Sequence, residues 1–230
     1  MSDRLDLMIA ARRRAETLAR LRSLAQGGSD REPVRLDVRP PRPPAERCDL
    51  CGTTLPDDHR HLLHLTERRI DCACEPCWAR HSGDPEYRPT GMRTAWLNGF
   101  DCDAEMWGRF GIPIGLAFFM RSTVTGGVVA LYPSPAGATE SELDLAAWDD
   151  LVARNPVLAD LDADAEALIV NRLTDPGQYV IAPIDECYRL VGLVKTRWEG
   201  ISGGAALERA VPEFFAALRA KTQLEIGAGR

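Results

Sequence analysis

The stretch IPIGLAFFMRSTVTGGVVALY, residues 112–132, sets two apolar runs, 112–120 and 127–132, on either side of the segment STVTGG. Short runs rich in aromatic and β-branched residues, broken by Thr and Gly, predict two antiparallel strands joined by a hairpin. Further along, PSPAGATESELDLAAWDDLVARNP reads as a rigid, exposed proline loop and then a helix. That helix has Thr139 as its N-cap, Glu142 three residues later, an apolar spacing Leu143, Ala147, Leu151, and Pro156 beyond its end. Two more strands, 167–172 and 179–182, flank the turn sequence TDPGQ. The stretch IDECYRLVGLVKTRW fits a helical stripe through Ile184, Tyr188, Val191, Val194 and Trp198, although its centre would also suit a buried strand, and it is read as helix. A closing helix covers ALERAVPEFFAALRAK despite Pro212. Strands in pairs between helices define an α+β domain with a mainly antiparallel sheet.

Working back towards the N-terminus gives three further pieces. Residues 1–25 place Leu5, Met8, Ile9, Leu18, Leu21 and Leu24 among arginines and predict an amphipathic helical arm. Residues 26–46 contain Pro40, Pro41, Pro43 and Pro44 and predict an extended linker. Residues 47–82 form a small cysteine-rich module that precedes the larger domain, 83–230, and that domain is expected to fold without a metal.

The chain has 230 residues, 45% of them apolar, and a net charge of −6. Its charge is uneven: residues 1–47 carry 11 arginines against 7 acids, whereas residues 83–230 carry 13 basic against 21 acidic groups. A basic face for a phosphate backbone could come only from the N-terminal arm, so nucleic acid is an unlikely partner. No run approaches the roughly 18 apolar residues of a membrane span, and the arginines of MSDRLDLMIAARRR follow a short apolar patch instead of preceding it. A cytoplasmic location is expected, where clustered cysteines favour metal or redox chemistry over disulfides.

Five of the seven cysteines and all four histidines fall between residues 47 and 81. Cys48-Asp-Leu-Cys51 and Cys74-Glu-Pro-Cys77 are two C-x2-C pairs with 22 residues between them, just past the usual zinc-ribbon window of roughly 15 to 20. Each pair can wrap two thiolates around one ion, and the module has too few apolar residues for a core of its own. Cys48, Cys51, Cys74 and Cys77 are therefore the predicted ligands of zinc, with iron as the alternative. Cys72 is surplus: it could replace Cys74, stay a free thiol or join a second centre, and is read as a bystander. His59, His61 and His64 are read as exposed hairpin residues or outer donors to a metal, and His81 follows the second pair.

The runs HRHLLHL, CACEPC, GIPIGLAFF, ALYPSPAGATES, EALIVNR, PIDECYRLVGLVKTRWEGISGG and EFFAAL occur in this order. Together they resemble an uncharacterised bacterial family often encoded beside uptake nickel–iron hydrogenases. The resemblance covers residues 47 to about 220 and implies a protein partner, a hydrogenase subunit or maturation factor. It supplies no catalytic residue.

The larger domain shows no enzyme signature. No histidine follows His81, so a nucleophile there would have to borrow its base from the cysteine-rich module. No phosphate-binding glycine loop occurs. The run DLDADAE, residues 160–166, lacks the glycine and terminal glutamate of a calcium loop and is read as a solvated turn. Cys187 is read as a core residue and Cys102 as unreactive. Trp198, beside a glycine-rich turn, is read as completing the core. Three readings stand: a non-enzymatic zinc accessory protein, a rubredoxin-like electron carrier, and a nucleic-acid-binding regulator. The first is preferred because a closed four-thiolate zinc site has no redox chemistry and contributes folding energy to a module without a core.

Overall fold

A computed structural model describes residues 45–200, 203–222 and 224–227. The predicted arm at 1–25 and nearly all of the predicted linker lie outside the described residues. The chain from Ala45 to Arg230 makes one compact unit. Among the described residues no helix is long and apolar enough to cross a membrane.

Two sheets organise this unit. The first consists of β1 (Arg60–His64), β2 (Arg69–Ala73) and β3 (Tyr87–Pro89), all antiparallel in the order β2-β1-β3. A short helix, α1 (Glu75–His81), lies between β2 and β3. The sheet therefore runs past residue 82, where composition alone placed a boundary.

The second sheet has seven strands. They are β4 (Ala95–Asn98), β5 (Leu116–Ser122), β6 (Gly127–Ser134), β7 (Gly137–Ser141), β8 (Glu166–Asn171), β9 (Gln178–Pro183) and β10 (Leu224–Gly227). Their order is β10-β4-β9-β8-β5-β6-β7, and only the β10–β4 pair is parallel. The hairpin read from residues 112–132 is β5–β6, with Phe119 opposite Ala130. The turn read from TDPGQ joins β8 to β9.

The alternation along these strands produces two cores. Phe118, Met120, Ile169 and Val180 point to one face, where α4 (Ile184–Arg197) and α5 (Gly204–Ala220) cover them with Leu190, Val194, Phe214 and Phe215. Phe119, Leu168 and Ile181 point to the other, beneath α2 (Ala104–Arg109) and α3 (Leu145–Arg154) with Met106, Trp148 and Leu151. Helices on both faces explain why β8 is buried at every position and why its sequence shows no polar alternation. Both helices read from residues 184–220 are present, and α5 accommodates Pro212 within it. Cys187 is fully buried in the first core and Trp198 packs against its edge.

Three expectations change. The segment GATES, read as the start of a helix behind a proline loop, is the edge strand β7, with Thr139 opposite Tyr132. Ser134 Oγ donates to the carbonyl of Gly137, accepts from Ala136 N and hydrogen-bonds Thr139 Oγ1, so the proline-bearing segment closes as a tight hairpin. The helix starts later, with Asp144 as N-cap accepting from Ala146 N at 3.0 Å. The run at 160–166 is a solvated turn only in part: Asp160 and Asp162 are exposed, but the other two acids are not. Asp164, in the left-handed region at φ 60°, is buried and accepts from both the backbone and the hydroxyl of Thr123, while Glu166 is buried against the guanidinium of Arg93 at 2.6 Å. Buried carboxylates persist when they are hydrogen-bonded, as Asp164 is, or paired with a cation, as Glu166 is.

Candidate metal centre

The first cysteine pair sits on a tight turn before β1. Cys48 N donates to Thr53 O at 2.8 Å and Gly52 N to Cys48 O at 2.8 Å. Gly52 has φ 76°, a left-handed conformation that glycine adopts without the penalty of a side chain. The second pair straddles a helix start: Cys74 is the N-cap of α1 and Cys77 lies three residues on, so both sulfurs fall on one side of its first turn. Asp49 joins the two pairs. Its N–H donates to Cys72 O at 2.9 Å, and its carboxylate accepts from Cys72 N at 2.6 Å, which ties the first turn to the end of β2.

This arrangement brings the sulfurs of Cys48, Cys51, Cys74 and Cys77 together within 4.8 Å of one another. Cys51 Sγ and Cys74 Sγ are 3.7 Å apart. A tetrahedral ion with bonds of ~2.3 Å to sulfur requires edges of about 3.8 Å. All seven cysteines are free thiols. The Cys51–Cys74 edge matches this value, and the other sulfurs lie close enough for all four to reach one ion.

Its electrostatics point the same way. Cys48 is buried, which by itself raises its pKa, but hydrogen bonds from the backbone at Cys74, Leu50 and Cys51 outweigh this and bring the thiol down to about 6. Cys77 is pushed up to about 12, first by its contact with the Cys74 sulfur and then by burial. One thiolate is favoured while Cys51 and Cys77 resist ionising, because negative sulfurs at this spacing repel until a cation lies between them.

The remaining candidates separate from this group. Cys72, which the sequence left as a surplus fifth thiol, meets His59 and His61, with one ligand atom of each lying within 4.8 Å of the others. Neither histidine is an exposed hairpin residue: only 6% of the His59 side chain and 27% of that of His61 are accessible. His64 stacks edge-on against Tyr87 at 5.0 Å, and His81 pairs with Asp84 at 3.4 Å and also packs against Tyr87. Cys102 is buried, with Arg172 Nη1 3.9 Å from its sulfur. The roles of Asp49 and of Asp185, whose carboxylate is 2.9 Å from His61 Nδ1, carry no signal in the sequence, since each depends on a segment far along the chain.

Comparison with known proteins then fixes the family. The family model described as "Family of unknown function (DUF5947)" matches residues 47–222. The chain belongs to this family. The matched region of this DUF5947 chain takes in both cysteine pairs, both sheets through β9 and the five α-helices of the described residues. No curated protein and no solved structure matches it.

Proposed function

We propose that this DUF5947 chain is a non-enzymatic zinc-binding accessory protein that acts, through protein–protein contacts, in the assembly or function of a nickel–iron hydrogenase. The observation that carries the zinc part is the convergence of four sulfurs within 4.8 Å of one another. Four protein ligands fill the coordination sphere and leave no position for substrate, as in structural zinc sites. Bound there, zinc would supply no redox chemistry. It would neutralise the thiolates of Cys48, Cys51, Cys74 and Cys77 and lock the turn before β1 to the start of α1. The hydrogenase part is supported by the family resemblance of the motifs alone.

Two measurements on the full chain test the reading. Metal analysis and an optical spectrum after anaerobic purification should give a colourless protein whose four-cysteine site contains zinc. A visible charge-transfer band that bleaches on reduction would instead make it a one-electron iron carrier. Affinity capture of the tagged chain from its native cells should enrich hydrogenase subunits or maturation factors, and capture that leaves them at background would overturn the assignment of partner.

A further inference from the structure

On the antiparallel pair β1–β2, His61 lies directly opposite Cys72. Residues opposite each other share a face, and this face also carries Leu63 and Ile70 against the first core. His59, in the bend before β1, brings its ring edge-on to His61 with centroids 4.7 Å apart. Two imidazoles and one thiol thus converge on a single point, well placed for a metal and separate in their ligands from the four cysteines.

The hydrogen bonds of the two rings determine which nitrogen faces that point. His59 Nδ1 lies 2.9 Å from the carbonyl of Pro56, which can only accept, so Nδ1 carries the proton. His61 Nδ1 lies 2.9 Å from Asp185 Oδ2, and the same argument holds. In the neutral rings both Nε2 atoms are then bare lone pairs. His59 Nε2 is buried without a hydrogen-bond partner and lies 3.5 Å from Glu46 Oε2. A bare lone pair at that distance from a carboxylate is repulsive, and a cation on the nitrogen, a proton or a metal ion, would resolve it. A carboxylate on the far nitrogen of a ligating histidine is also the usual way of orienting the ring and raising its basicity.

The surroundings suit a cation. A cleft of about 560 Å³ opens beside His59, His61 and Cys72 and is lined by Glu46, Asp57, Asp58, Asp185 and Glu186. Its two basic residues, Arg189 and Lys221, are both engaged by Glu186, at 2.5 and 3.1 Å.

We propose that His59, His61 and Cys72 form a second metal site that takes one divalent ion of the zinc class through two imidazole Nε2 atoms and one thiolate. Binding displaces the proton of the Cys72 thiol to solvent. Asp185 is the positioning residue for His61. The mixed nitrogen and sulfur donors select zinc or cobalt over magnesium and calcium. Three protein ligands leave a fourth position open to the cleft, which distinguishes this site from the closed four-cysteine cluster and goes beyond a purely structural role for metal.

The test uses the full chain, stripped of metal and then titrated with Zn2+ and, as a coloured probe, Co2+. The wild type should bind two ions per chain. Cys72→Ser and His59→Gln should each bind one, retain the Co2+ spectrum of a four-thiolate site, and keep the wild-type circular dichroism. Asp185→Asn should keep both sites but weaken one by roughly 10- to 100-fold, as loss of a partner behind a ligand does. A wild type that binds one ion, or a Cys72→Ser variant that still binds two, would overturn the proposal. Should His59→Gln fail to fold, Cys72→Ser decides alone, because sulfur to oxygen is a near-isosteric change.

Discussion

The carboxylate of Asp185, in the first turn of α4, lies 2.9 Å from Nδ1 of His61 on β1 and so ties the cysteine-bearing sheet to the larger one. Both side chains are about three-quarters buried, a setting in which a charge-assisted hydrogen bond is worth more than at the surface. Asp185→Leu should therefore lower stability by about 1–3 kcal/mol. Hydrogen exchange should show the loss concentrated in β1 and β2. In chelator-treated protein the hydrogen bond that His61 donates to Asp185, opposed by burial, holds the His61 pKa above its ordinary value. A raised folded pKa gives stability that is fully present below about pH 6.5 and is lost as pH rises through the raised value. Urea unfolding of the metal-free wild type, but not of Asp185→Leu, should show this decline.

Metal removal is the second case. Leu63 is buried in the first core and Ile70 packs against it, so the cysteine-bearing sheet is not a detachable appendage. On chelation the turn at Cys48–Gly52 and the start of α1 should lose exchange protection first, since few apolar contacts hold them. The main cooperative transition, carried by the seven-stranded sheet, should survive at a lower midpoint. The decrease should be of the order of 2–4 kcal/mol if Leu63 loses its packing, comparable to Leu63→Ala.

Gly91 marks the crossing from β3 to β4. Its N–H donates to Ala165 O at 2.8 Å, and a Cβ placed there would lie 2.9 Å from that oxygen and 2.8 Å from Glu166 Cγ. The backbone oxygen cannot swing aside, and Glu166 is held by Arg93. Gly91→Ala should cost about 1–3 kcal/mol through overpacking. Gly83→Ala, where a Cβ meets nothing within 4 Å, is the control and should leave the thermal midpoint nearly unchanged.

At the N-terminus of α2, Asp103 accepts from Met106 N at 2.7 Å and from Arg154 at 3.0 Å. The backbone donor first, and Arg154 next, hold its pKa below the ordinary carboxylate value. A depressed folded pKa contributes stability above the unfolded value of about 3.9 and loses it as pH falls through the folded one. Asp103→Ala should be less stable than wild type at neutral pH, and denaturant titrations should show the difference shrinking below about pH 4.

Features that a local pattern can encode are legible along the chain. The hairpin at 112–132, the strands on either side of TDPGQ and the two helices between 184 and 220 follow from apolar spacing and from turn residues, all of which act within a few positions. The two C-x2-C pairs are equally local, because a tight turn or a helix start brings residues three apart together, and the four sulfurs do converge. The tertiary structure decided the rest. Residues 137–141 became a strand because β6 offered an unpaired edge, which outweighed a capping pattern also compatible with a helix. Short strands such as β4 and β10 exist through the neighbours they pair with, and their few residues carry no period of their own. Cys72 left the group of five thiols because it lies within β2, opposite His61, whereas the strand ends at Ala73 and Cys74 turns into the start of α1, and His59 was buried only once the bend before β1 packed down. Asp164 reads in sequence as part of a solvated turn, and nothing in the sequence singles out Asp49 or Asp185. Their functions depend on partners brought from distant segments, and no spacing along the chain records such a meeting.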